Sequence, residues 1–265
     1  MKIVKTTIDE LIPSRADYLN SLPEFQELYL ELMIQHADCH HLVMDDIEVG
    51  HVIESAEGVL LEYYVKNRYI PQSHEYFCQI IEQLGITNIY CKSFDSILLS
   101  NCLLSSFPYS ILGVLYRDYQ AAFVPRDHDL IMSPADRSSI RFLLEQDDSI
   151  HELFETETQL SEFIDHEYVF LFYENGDFVG CGMVLRTNSD WDYCDLGVWV
   201  NPLHRCHGIG SQIIISLREF ALNHHLHPSC GCAIENIASQ KMIEKSGFVS
   251  KHKLINFKTN TEREV

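Results

Sequence analysis

Asp195-Leu-Gly-Val-Trp-Val-Asn-Pro-Leu-His-Arg-Cys-His-Gly-Ile-Gly-Ser-Gln212 reads as three pieces: an apolar strand, a loop carrying Arg205-x-x-Gly208-x-Gly210, and the start of an amphipathic helix. Leu196 to Val200 is short, apolar and partly β-branched, as a buried strand requires. Asn201-Pro202 ends it, because proline cannot donate to a ladder. Ile213, Ile214, Leu217, Phe220 and Ala221 then recur at helical spacing, so a helix begins close to Gly210 and its unpaired N–H groups point back at the loop. Gly208 and Gly210 let backbone approach a ligand, and Arg205 adds charge near the positive end of the helix dipole. This arrangement suits a diphosphate, although glycines alone are equally compatible with a ligand-free turn.

Two common phosphate loops are excluded. The Rossmann fingerprint needs a third glycine where Ile213 stands and a following strand that ends in an acidic residue. The Walker loop needs a Gly-Lys-Ser/Thr that the chain does not have here.

A second element lies downstream: Cys232-Ala-Ile-Glu-Asn236-Ile-Ala-Ser239-Gln-Lys-Met-Ile-Glu-Lys-Ser-Gly247-Phe248. Together the two segments resemble the GNAT superfamily of acetyl-coenzyme A-dependent N-acetyltransferases. In that family a Gln/Arg-x-x-Gly-x-Gly/Ala loop binds the pyrophosphate, and a later strand leads through an Asn into a helix ending in Gly-Phe. The resemblance spans roughly residues 130 to 258. It implies an α/β (α+β) fold, with a mixed, mostly antiparallel central sheet, flanking helices, and a splayed pair of strands at the cofactor site.

The rest of that half is read to match. Ser133-Pro-Ala-Asp136 is expected to open a helix through Ile140, Leu143 and Leu144, capped by Ser133. A second helix is expected to hold Leu153, Phe154, Leu160 and Phe163. Tyr168–Tyr173 and Phe178–Leu185 flank Asn175-Gly176, a strong hairpin signal.

Composition bounds the function. Length allows one large domain or two ordinary ones, and 46% hydrophobic residues suffice for a core. With 39 acidic against 19 basic residues, a net charge of -20 and no basic cluster, nucleic acid and anionic membranes are not expected partners. No apolar run approaches the roughly 18 residues of a membrane-spanning helix. The start, Met1-Lys-Ile-Val-Lys-Thr-Thr-Ile-Asp9, turns polar too early for a secretion signal, so a cytoplasmic location is expected. Nine cysteines, an odd number without regular spacing, suit reduced thiols. Cys230 and Cys232 lie near His224, His225 and His227, and His36, Cys39, His40 and His41 form a second group. Neither has zinc-finger spacing, so no metal is expected.

The first half reads as a worn copy of the second. Val49-Gly50 after Met44-Asp-Asp-Ile-Glu48 matches Val179-Gly180 after Glu174–Phe178 at an offset of 130 residues. At an offset of 133, Glu62–Val65 falls on Asp195–Val198 and Gln79-Ile-Ile81 on Gln212-Ile-Ile214. At 141, Asp95 falls on Asn236 and Phe107 on Phe248. A tandem pair of lobes follows, residues 1–125 and 130–265, joined within Ala121–Pro134. Where the second copy has Arg205–Gly210, the first has Gln72-Ser-His-Glu75-Tyr-Phe77, which lacks both glycines and adds a negative charge. The first lobe is therefore read as scaffold, or as one wall of an acceptor cleft.

The resemblance also implies roles. Backbone groups of Val198, Trp199 and Val200 would hold the pantetheine arm and polarise the thioester carbonyl. Backbone N–H groups of Arg205, Cys206, His207, Gly208, Ile209, Gly210 and Ser211 would hold the pyrophosphate. Asn236 and Ser239 would contact acetyl-CoA from the second motif. Asp195 is the candidate base, with Glu235 second and a solvated strand-end carboxylate as the bland alternative. Trp191, Asp192 and Tyr193 would shape the acceptor cleft. The chain departs from the family at Ile243, where many relatives carry the Tyr that protonates the leaving thiolate, leaving Ser239 as a weak substitute. Cys206 and His207 stand where Gly and Lys are frequent. The expected activity is transfer of acetyl from acetyl-CoA to a primary amine of a small molecule or amino-acid-like acceptor. The alternative is a non-catalytic acyl-CoA-binding or interaction module, and a homodimer is compatible with either.

Overall fold

The computed structural model describes residues 1–26, 28–120, 128–154, 156–186 and 191–259. The first half of the expected connection, residues 121–127, lies outside the described residues. Two compact units are present: Met1–Leu115 with His252–Val265, and Tyr116–Lys251. The sequence predicts a second lobe running from 130 to the end of the chain, whereas the last strand crosses the division and from His252 on lies in the first unit.

Unit 1 contains β1 (Lys2–Thr6), α1 (Ile8–Ser21), α2 (Leu28–Ile34), β2 (Asp38–Met44), β3 (Ile47–Glu54), β4 (Val59–Val65), α3 (Ser73–Leu84), β5 (Asn88–Lys92) and α4 (Ser96–Leu104). Strand β6 (Tyr109–Tyr119) carries the chain into unit 2. Unit 2 then contains β7 (Ile131–Pro134), α5 (Ser139–Leu144), α6 (Glu157–Asp165), β8 (Val169–Glu174), β9 (Asp177–Leu185), β10 (Tyr193–Val200), α7 (Ile209–Asn223), β11 (His227–Ala233), α8 (Ile237–Lys245) and the start of β12 (Phe248–Lys258).

In unit 1 the strands run β1-β2-β3-β4-β5-β12. All recorded pairings are antiparallel except β4 with β5, which is parallel at Val59↔Asn88 and Leu60↔Ile89 and then stops. Unit 2 repeats the pattern as β7-β8-β9-β10-β11-β6. There β10 pairs β11 in parallel from Tyr193↔His227 to Asp195↔Ser229, then stops. Both hairpin turns the sequence marked are formed, with positive φ at Asp45 and Asp46 and at Asn175 and Gly176, as turns matching strand twist demand.

The repeat is visible residue by residue, with a register that corrects the sequence alignment. Lys66 N donates to Val49 O as Asn201 N donates to Val179 O, and Val65 faces Gly50 as Val200 faces Gly180. Val65 thus corresponds to Val200, Leu60 to Asp195 and Glu62 to Gly197. The expected match of Glu62 with Asp195 is two residues out, a slip that keeps every side chain on its own face and so escapes periodicity. The 141-residue match is correct. Asp95 and Asn236 each cap a helix, and Ser106 and Gly247 both have positive φ just before Phe107 and Phe248.

One expected helix start is corrected. Ser133-Pro134 lies in β7, where Ser133 faces Leu171, and α5 begins only at Ser139. Asp136, rather than Ser133, accepts from the backbone N–H of Ser138 and Ser139. Proline is tolerated because it closes a short terminal strand. Leu153 and Phe154 likewise precede α6, which Thr156 caps.

Apolar side chains cover both faces of each sheet. In unit 1, Leu11, Leu30, Ile34 and Leu61 meet on the α1–α2 side, and Phe77, Ile80, Leu98 and Tyr63 on the other. In unit 2, Leu143, Phe154, Leu160 and Trp199 pack on the α5–α6 side. On the opposite side α7 sits so close that a Cβ on Gly182 would fall 2.6 Å from Leu217 Cδ1.

Candidate acetyl-coenzyme A site

In unit 2 the strands β10 and β11 part company after Asp195↔Ser229, and β10 continues five residues to Val200 without a partner on that side. Alternation puts Asp195, Gly197 and Trp199 on the α5–α6 face, where a Cβ at Gly197 would meet Leu153. Asp195 is half-buried at the fork and its Oδ1 accepts from Ser229 Oγ at 3.2 Å. Trp199 is buried, with its indole N–H donated to Ser149 Oγ at 2.9 Å, so any role of Trp199 toward a ligand rests on its backbone.

The chain leaves β10 through Asn201, whose side chain accepts from Leu203 N–H at 3.1 Å. Two left-handed residues, Cys206 (φ 64) and Gly208 (φ 91), then fold the loop under the head of α7. Gly210 sits close against α8: a Cβ there would lie 2.5 Å from Met242 Sδ, which would have to move aside. Among the described residues, the N–H groups of Cys206, His207, Gly208, Ile209, Gly210 and Ser211 meet no recorded acceptor. The first that does is Gln212, which donates to Gly208 O at 3.1 Å. Six donors at the positive end of a fifteen-residue helix make a nest for an anion.

Arg205 does not aim at that nest. Its Nε donates to Val200 O at 3.0 Å, its Nη2 donates to Ser149 Oγ at 2.6 Å and lies 3.7 Å from Asp147, and its own N–H donates to Pro202 O at 3.4 Å. It braces the loop against the α5–α6 side. Ser211 donates to Met242 O at 3.0 Å, and Ile209 is buried. Among the described residues, two basic side chains the sequence did not single out lie beside the nest. Lys245 Nζ and His128 Nε2 would each lie 3.4 Å from a Cβ on Gly208. Both reach the loop through tertiary packing, for which sequence spacing gives no signal.

In the second motif, Asn236 Oδ1 accepts from Ser239 N–H at 3.0 Å, which makes Asn236 the N-cap of α8. Ser239 follows in the first turn, half-buried. Glu235 lies in the turn after β11, exposed, so the strand alternation expected to turn it away does not apply. Ile243 is buried, where relatives place an acidic phenol. The two His/Cys groups hold no metal-like cluster among the described residues, and His40 and His41 face Glu54 and Glu48 instead.

Cys206 carries backbone strain that glycine would not. The left-handed region costs an L-residue about 1–2 kcal/mol, offset in part by the extra unfolded-state freedom of glycine. Cys206→Gly is therefore expected to stabilise the protein by about 0.5–1 kcal/mol and to raise the melting temperature by ~1–3 °C. An unchanged or lower melting temperature would refute the strain.

Unit 1 keeps the fork and loses the nest. Its loop, Asn67–Gln72, is a short 3₁₀ helix running straight into α3, with Gln72 where unit 2 has Gly208 and His74 where it has Gly210. Leu60, fully buried, replaces Asp195.

Comparison with known proteins agrees with this geometry. Residues 7–119 match the acetyltransferase (GNAT) domain, and residues 136–248 the acetyltransferase (GNAT) family. An acetyltransferase from the GNAT family of Colwellia psychrerythraea is 20% identical, with 98% of this chain and 100% of that one aligned at a TM-score of 0.88. A tandem GNAT protein from the clavulanic acid biosynthesis pathway is 13% identical over 98% and 99% of the two chains, at 0.62. A GCN5-related N-acetyltransferase from Sphaerobacter thermophilus is 14% identical over 97% and 95%, at 0.59. At these identities the likeness is one of fold. No curated protein matches the chain. With two of its domains matched in succession along most of the sequence, the chain belongs to the GNAT family of acetyltransferases as a tandem pair.

Proposed function

We propose that unit 2 binds acetyl-CoA at Cys206–Ser211 and transfers the acetyl group to a primary amine of a small, amino-acid-like acceptor. The observation that carries this is the row of six N–H groups that meet no acceptor among the described residues, beside strands that diverge at Asp195. The nest takes the pyrophosphate, and the unpaired side of β10 beyond Asp195 offers backbone groups to the pantetheine arm. The amine attacks the thioester carbonyl, the new C–N bond replaces the C–S bond, and the ammonium proton passes to Asp195 directly or through water. Ser229 steadies that carboxylate. With Ile243 in place of a phenol, solvent returns a proton to the departing thiolate. Nine free thiols and consumption of acetyl-CoA suit a cytoplasmic setting.

Calorimetric titration with acetyl-CoA and a thiol-release assay over an amine panel test the reading. Gly208→Glu, which puts a carboxylate into the nest, is expected to weaken acetyl-CoA binding by at least ~100-fold, and unchanged binding would exclude the site. Asp195→Asn is expected to lower kcat by ~100-fold or more with little change in affinity for acetyl-CoA. Full turnover in that variant would remove Asp195 as the base. Ile243 favours a second reading, a non-catalytic acyl-CoA-binding module, which binding without turnover across the panel would support.

A further inference from the structure

His128 precedes β7, far in sequence from the loop, yet it holds the loop. Its Nε2 lies 2.7 Å from His207 O and its Nδ1 2.8 Å from Glu174 Oε1. A carbonyl and a carboxylate only accept, so both ring nitrogens donate, and they do so together only in the imidazolium. His128 and Glu174 are both largely shielded, with 17% and 25% of their side chains exposed, so the pair is only weakly screened.

Two consequences meet at Gly208. In a trans peptide the carbonyl and the following N–H point opposite ways, so a fixed His207 O fixes the direction of the Gly208 N–H, one of the six nest donors. The chain carries a net charge of -20, and the loop's own arginine is tied to Ser149 and Asp147. An acyl-CoA, with its several phosphate charges, needs local cations to enter such a field. His128 and Lys245 flank Gly208 and supply them.

We propose that His128, kept protonated by Glu174, is a positioning residue for the phosphates of acyl-CoA, orienting the His207–Gly208 peptide and, with Lys245, supplying fixed positive charge at the head of α7. This rests on the acetyl-CoA site proposed above. Among the described residues, the charged groups facing the imidazole are Glu174 from β8 and Lys245 from α8, and they act in opposite directions: the carboxylate holds the proton and the ammonium opposes it.

The test is the dissociation constant of acetyl-CoA between pH 5.5 and 8.5, measured calorimetrically on the full chain. Wild type is expected to bind with little pH dependence across this range. His128→Ala is expected to bind about tenfold more weakly at every pH, with His128→Gln recovering part of the loss, because an amide N–H can still reach His207 O. Glu174→Gln separates geometry from charge. Its amide can donate to Nδ1 while neutral His128 keeps the bond to His207, so affinity should match wild type near pH 5.5 and fall several-fold as pH rises through the ordinary histidine range near ~6.5. A purely structural role would give Glu174→Gln no such pH profile. Equal affinities for wild type and His128→Ala would overturn the proposal while leaving the acetyl-CoA site intact. A Glu174→Gln curve as flat as wild type would overturn the part played by charge. If wild type bound no acetyl-CoA, the underlying site would fall, and this inference with it.

Discussion

A chain ending at Lys251 is expected to lose the cooperative unfolding transition of unit 1 altogether. Residues Leu254–Lys258 pair antiparallel with β5, and Leu254, Ile255 and Phe257 are buried in the two unit 1 cores. Each buried side chain of that kind is worth about 1.5–3 kcal/mol, so three of them rival the ~5–15 kcal/mol that stabilises a whole domain. The truncation would also bare one edge of β5, inviting aggregation. Calorimetry and hydrogen exchange across Asn88–Lys92 read the result, and a truncated chain that melts within a few degrees of the parent would refute it. Cutting at residues 125–130 is expected to fail for a matching reason. Unit 2 begins at Tyr116, Gln120 N donates to Gly247 O at 2.8 Å, and Tyr119 packs on Phe248, all of which a fragment starting at 130 would lack.

The second large effect is expected at Glu62. Its carboxylate has no exposed surface and takes Nε and Nη2 of Arg15 at 2.8–3.1 Å and Gln26 Nε2 at 2.6 Å, with His51 Nε2 3.4 Å away. Arg15 also reaches Glu31 at 2.5 Å. Removing one partner of a buried pair strands the other charge, so Glu62→Ala should cost about 3–5 kcal/mol, whereas Asp195→Ala at the half-exposed fork should cost much less. Equal losses in the two variants would refute the reading.

The pH dependence has a definite sign. Burial works to raise the Glu62 carboxyl, but Arg15 and the nearby His51 outweigh it and hold the group down to about 2. A carboxyl depressed in the folded state contributes stability above its unfolded value near ~4.3, and that contribution is lost as pH falls toward 2. Glu62→Gln should flatten the acid limb of unit 1 unfolding between those values. Burial pushes Glu31 and Asp95 the other way, upward, so each opposes that slope.

What the sequence made legible was local. Asn175-Gly176 announced its turn and the apolar spacing from Ile213 to Ala221 announced α7, because each signal is written within a few residues. The fork at Asp195 was legible only through resemblance. Partners that meet through folding were not legible. Arg15 finds Glu62 across 47 residues, and His128 finds His207 across 79, and no periodicity encodes such a meeting. The register of β4 was missed because a two-residue slip preserves the apolar pattern. Ser133-Pro134 misled because the signature of a helix start also suits the end of a short strand.

The diverging ends of β4 and β5 in unit 1 carry Glu62 and Lys92, and Lys92 Nζ is itself buried, donating to Tyr18 at 2.6 Å and Gln26 at 2.5 Å, with Asp95 4.0 Å away. Putting glycine back at positions 72 and 74 would restore a loop, but the fork behind it is held by charges that stabilise one another. Any single substitution of Glu62 or Lys92 leaves an unpaired ion in the interior, so these buried charges are expected to change together or not at all.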